Sequence, residues 1–100
     1  MLIVAGEIRM QAGSRDQFLA AVGSLVAATL LEHGCQTYAF TPDPDDADLI
    51  RLYELWDDEE SLAAHLASPH IAAWQSTRAA LPTLSADVFK YTVTDAVPLG

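Results

Sequence analysis

Leu49-Ile50-Arg51-Leu52-Tyr53-Glu54-Leu55-Trp56, followed directly by Asp57-Asp58-Glu59-Glu60, is the stretch on which the fold turns. Period-two spacing puts Ile50, Leu52, Glu54 and Trp56 on one face and Arg51, Tyr53 and Leu55 on the other, so this is a strand with large side chains on both faces. The acid run then reads as a helix N-cap, because carboxylates are stabilised by free N–H groups at a helix start. A strand running straight into an amphipathic helix, roughly 58–67, is half of a β-α-β unit.

Upstream, residues 2–10 form a first strand, with Glu7 and Arg9 facing one way and Ile8 and Met10 the other. Gln11 to Gly13 is a turn. Ser14 and Gln17 have capping-box spacing, and Phe18, Val22, Leu25, Val26 and Thr29 follow at helical intervals to about His33, with Gly34 ending the helix. A second strand covers 35–41. The segment Pro42 to Asp48 holds four aspartates and two prolines and reads as a hairpin loop. It lacks the mid-loop glycine and closing glutamate of a calcium loop. Downstream, Ser68-Pro69 restarts a helix that carries Ile71, Trp74 and Arg78 to about Leu81. A fourth strand spans about 86–94, and the tail holds Val97 and Leu99.

The order strand, helix, strand, strand, broken helix, strand predicts an α+β, ferredoxin-like βαββαβ fold. Its four-stranded antiparallel sheet would have helices on one face. The second sheet face is too apolar for water, which predicts sheet-to-sheet packing into a homodimer. One hundred residues fit one domain, 1–100.

Charge narrows the partners. Fourteen acids against five bases give −9, and the bases (Arg9, Arg15, Arg51, Arg78, Lys90) make no stripe, which excludes nucleic acid. The field also disfavours anionic guests unless a local pocket reverses it. The N-terminus lacks a signal-peptide pattern and no stretch is long enough to span a bilayer, so a cytoplasmic protein without membrane contact is expected. A single cysteine, Cys35, fits a reducing compartment and reads as a buried, inert thiol.

Candidate chemistry is sparse. His65 and His70 are five apart, about 140° around a straight helix. The Ser68-Pro69 break brings them closer, yet no third metal ligand is evident, and no metal is expected. Glu54 points towards the helix that carries His65, which predicts a Glu54–His65 pair: either a polar staple or an oriented base. The aromatic residues, including Tyr38, Tyr53, Trp56 and Trp74, line either a pocket or a plain core. Glu7 is expected to pair with Arg9, Arg51 or Lys90 across the sheet.

Three segments carry a family resemblance: Glu32 to Tyr38 (EHGCQTY), Leu52 to Asp58 (LYELWDD) and Ser61 to His70 (SLAAHLASPH). They resemble the antibiotic biosynthesis monooxygenase (ABM) family in its glycine-cysteine strand entry, E-x-W strand and H-x-x-S-x-H helix break. The resemblance covers residues 2 to about 93. It implies a dimeric α/β barrel of two ferredoxin-like subunits, oxidising a quinol or polyketide phenol with O2 and no cofactor. Carried over by motif, Glu54, Trp56, His65, Ser68 and His70 are the pattern positions. Catalytic roles are expected at His65 and Glu54, and substrate contacts at Tyr38, Tyr53, Trp56, His70 and Trp74. The haem-degrading branch does not fit: strand one has no asparagine, His65 stands at its tryptophan position, and Gln75 stands where its histidine would be. The alternatives are a non-catalytic ligand-binding or stress-associated domain, and isomerase-type chemistry in the same pocket.

Overall fold

A computed structural model describes all residues, 1–100. The elements run β1 (Leu2–Met10), α1 (Arg15–Leu30), β2 (Cys35–Pro42), β3 (Leu49–Trp56), α2 (Glu59–Leu66), α3 (Pro69–Arg78) and β4 (Thr83–Thr92). All strand pairs are antiparallel, in the order β2-β3-β1-β4. This is the expected ferredoxin-like α+β sheet.

Register fixes which side chains meet the helices. Val4 faces Glu54 and Lys90, Gly6 faces Leu52 and Val88, and Ile8 faces Ile50 and Ala86; Tyr38 opposes Glu54 and Phe40 opposes Leu52. Ile50 and Trp56 are fully buried beneath Phe18, Leu25, Leu62 and Trp74. The opposite face carries Ala5, Tyr53, Phe89 and Tyr91, with Tyr53 42%, Phe89 61% and Tyr91 52% exposed. Glu7 pairs there with Arg51 at 2.9 Å, one of the three partners expected.

Several boundaries depart from the sequence reading. Helix α1 stops at Leu30 rather than His33, because Leu31 and Glu32 turn their N–H groups back to Ala28 and Thr29 before Gly34, at φ 82, reverses the chain. The Ser14 capping box does not form. Ser14 is already in a helical conformation, which turns its hydroxyl away from the free N–H groups, and it makes no cap bond. Asp58 and Ser68 do cap their helices, accepting from Ser61 N at 2.8 Å and Ile71 N at 3.3 Å. Helix α3 ends at Arg78, and β4 starts at Thr83 and ends at Thr92, after a bulge between Arg9 and Met10 that lets Thr83 pair early.

The acidic hairpin loop is organised by arginines. Arg15 Nη1 donates to the carbonyls of Asp43, Asp46 and Leu49 at 3.1, 2.8 and 3.3 Å. Arg9 meets Asp46 and Arg51 meets Asp43.

Candidate functional site

The loop after α1, the last turn of α2 and the first turn of α3 converge on one carboxylate. Glu32 Oε2 lies 2.6 Å from His65 Nδ1 and 2.8 Å from His70 Nε2. An ionised carboxylate can only accept, so both ring nitrogens carry the proton towards it. That assignment leaves His65 Nε2 as a free lone pair. His65 is 1% exposed and is packed by the rings of Tyr38 and Trp56, with centroids 5.2 and 4.8 Å away.

The expected Glu54–His65 pair is not what forms. Glu54 Oε1 accepts the indole N–H of Trp56 at 2.9 Å. Trp56 has no exposure, so its N–H must find an internal acceptor, and Glu54 is two residues away on the same strand face. Glu32, outside the strands and two residues before Gly34, orients His65 instead. Only its place in the glycine-cysteine segment could have marked it in the sequence. It also supplies the third ligand that sequence reading lacked: donor atoms of Glu32, His65 and His70 lie within 4.8 Å of one another, so these are the residues that could hold a divalent ion.

His65 and Glu54 share the wall of a cavity of about 260 Å³ between the sheet and α2/α3. Tyr38, Phe40 and Trp74, aromatic residues whose sequence reading allowed either a pocket or a core, line it together with Phe18 and Leu52, which the sequence placed only on a helix or strand face. Trp74 stands edge-on to Phe18, centroids 5.2 Å apart. Arg78 and Gln75 give it a polar end. Tyr53 lies on the opposite sheet face, lining a shallow depression with Phe89 and Tyr91. Trp56 lies behind Glu54 in the core, and His70 lies behind His65 on Glu32. None of these three lines the cavity.

Burial sets the acid–base character of the wall. Desolvation pushes the Glu54 carboxyl up to about 7, against the Trp56 hydrogen bond that pulls it down, with Glu32 adding a smaller upward push. Burial, then Glu54, pushes the Tyr38 phenol well above its ordinary value. The Cys35 thiol is likewise raised by burial, so nothing activates it.

The model of the family described as antibiotic biosynthesis monooxygenase matches residues 1–77. The chain belongs to that family. In keeping with this, an ABM assignment in Deinococcus radiodurans has a solved structure that superposes with a TM-score of 0.89 at 21% identity, over 100% of this chain and 99% of that one. An ABM assignment in Chloroflexus aurantiacus superposes at 0.78 with 26% identity, over 99% and 98%. Among curated sequences, an uncharacterized protein of Synechocystis sp. is 25% identical over 69 residues, 69% of this chain and 47% of that one. The chain thus spans about half the length of that relative. No helix of this ABM chain is long and apolar enough to cross a membrane.

Proposed function

We propose that this ABM protein is a cofactor-independent monooxygenase of a small electron-rich phenol or quinol. The observation that carries the reading is the 2.6 Å Glu32–His65 contact behind the wall of a largely apolar cavity, because it holds an oriented base at the edge of that space. His65 Nε2 takes the phenolic proton, while Tyr38, Phe40 and Trp74 hold the ring. The phenolate passes one electron to O2, and the radical pair recombines as a peroxide on the ring carbon, which takes the proton from the His65 imidazolium to become a hydroperoxide. Loss of that carbon's hydrogen as a proton to the neutral His65 Nε2 then cleaves the O–O bond. One oxygen stays as the quinone carbonyl and the other leaves as water. Glu54, held near neutrality, supplies the proton for that departing oxygen.

A catalytic reading requires open space beside His65, whereas a mere staple would be packed shut. The cavity supports the former, although its volume sits at the small end for ligand sites. The functional unit proposed is residues 1–100 paired with a second copy through the face bearing Tyr53, Phe89 and Tyr91.

Oxygen uptake over a panel of hydroquinones and anthrones tests this, with chelator present and His65→Ala alongside. Uptake above autoxidation and lost in the variant is the expected result. Rates equal to the buffer blank would sink it, and turnover without oxygen would replace it by isomerase chemistry.

A further inference from the structure

Of the five basic side chains, four are committed within the chain: Arg9 to Asp46, Arg15 to loop carbonyls, Arg51 to Asp43 and Glu7, and Lys90 to Glu59. Arg78 alone makes no hydrogen bond or ion pair, although it is half-buried and lines the cavity. In a chain of charge −9, a guanidinium on the wall of a cavity with no internal carboxylate or carbonyl partner is free to meet a guest.

Its position along the cavity is set by the fold. Tyr38 and Glu54 pair at one end, where His65 stands. Phe40, Leu52 and Val88 come next, and Ala86 and Ile8 last. The four steps along β3 from Glu54 to Ile50 span roughly 13 Å at the usual strand rise. Arg78 closes α3, and the chain reaches β4 at Thr83 opposite Met10, one step beyond the Ala86–Ile8 row. Arg78 therefore serves the end away from His65. Its helical spacing from Ile71, Trp74 and Gln75 puts all four on the cavity side of α3. Glu54 is the only acid in the wall, and it is turned to Trp56 at the other end.

We propose that Arg78 selects a substrate carrying an anionic group, a hydroxyaryl carboxylate, with its hydroxyl at His65 and its carboxylate on the guanidinium. The proposal deepens the phenol reading above and rests on it. It also reverses the expectation from net charge: the local field at Arg78 favours an acid where the whole molecule would repel one. A place in the last turn of α3 gives Arg78 an ordinary helix-end role too, but that role affects stability and does not distinguish an acid from a neutral guest.

Calorimetric titration of the full chain with 6-hydroxy-2-naphthoate and with 2-naphthol separates these. The acid is expected to bind at least about tenfold more tightly, the factor that about 1.4 kcal/mol provides. Arg78→Met should abolish that preference, bringing the acid down to the affinity of 2-naphthol. Arg78→Lys, which keeps the charge but not the two-pronged donor, should reduce the preference for the acid without abolishing it. Equal binding of the two probes to the unmodified protein would overturn the Arg78 proposal and leave the phenol site standing. An equal loss of both probes in Arg78→Met would also overturn it. Binding of neither probe would overturn both readings.

Discussion

Glu32 and His65 are 33 residues apart in the chain and 2.6 Å apart in space, with Glu32 Oε2 on His65 Nδ1. The carboxylate sits just past the end of one helix and the imidazole in the last turn of another, so orientation of the base depends on how the two helix ends meet. Glu32→Gln keeps an acceptor but loses the charge that steadies the imidazolium. Phenol oxidation should fall by about 10- to 100-fold in kcat with KM little changed, against the roughly 10²- to 10⁴-fold loss for His65→Ala. Steady-state oxygen uptake measures both. An unchanged Glu32→Gln rate would remove Glu32 from the mechanism.

Glu54 ties stability to pH. Its carboxyl is raised in the folded state from 4.5 to about 7, so between those values the native protein holds a proton that the unfolded chain has released. Stability supplied by the protonated form is complete below about 4.5 and is lost as pH rises through 7. Glu54→Gln should flatten this slope and gain up to ~3 kcal/mol over the parent at pH 8. Urea melts at pH 5 and pH 8 test this; parallel curves for parent and variant would refute it.

Trp56 moderates that titration by donating to Glu54 at 2.9 Å. Trp56→Phe keeps the aromatic bulk but removes the donor, so the Glu54 carboxyl should titrate higher still. Loss of the hydrogen bond should cost about 1–3 kcal/mol at neutral pH, and less in acid where Glu54 is protonated. Carboxyl NMR titration of Glu54 follows the shift directly.

Gly34 is required twice. Its φ of 82 disfavours any side chain, and a Cβ there would collide with the Ser61 side chain at the start of α2. Gly34→Ala should destabilise by at least about 1–2 kcal/mol and lower activity beyond its effect on folding, because Glu32 is two residues away. Thermal melts and kcat on the same preparation distinguish the two effects.

The exposed sheet face offers a separate test. Phe89→Glu should convert a dimer to monomer in light scattering while leaving the circular dichroism unchanged. A parent protein that is already monomeric would refute the paired unit.

The fold was legible because it rests on local rules. Alternation in 49–56, the acid cap after Trp56 and the Ser68-Pro69 break each specify their element without help from elsewhere. Ends set by non-local contacts were not legible, such as the early start of β4 through the Arg9–Met10 bulge. The site divides in the same way. His65, Glu54, Tyr38 and Trp74 could be picked from strand and helix faces. The partner of His65 could not, because two carboxylates were within reach and the choice turned on Trp56 needing an acceptor inside the core. The three-residue shortening of α1 decided the rest, since a helix continuing to His33 would have carried Glu32 elsewhere.

The hold of Arg15 on the β2–β3 loop reaches beyond local order. A loop of four aspartates and two prolines is the place where a protease would be expected to nick a chain first. Here one guanidinium at the start of α1 draws the carbonyls of Asp43, Asp46 and Leu49 inward, while Asp43 Oδ2 takes the N–H groups of Asp45 and Asp46. A protease needs an extended backbone with its amides free, and this loop presents neither. Limited digestion should spare residues 43–48 and remove the exposed tail beyond Val93, leaving a trimmed body that still contains every residue of the cavity wall.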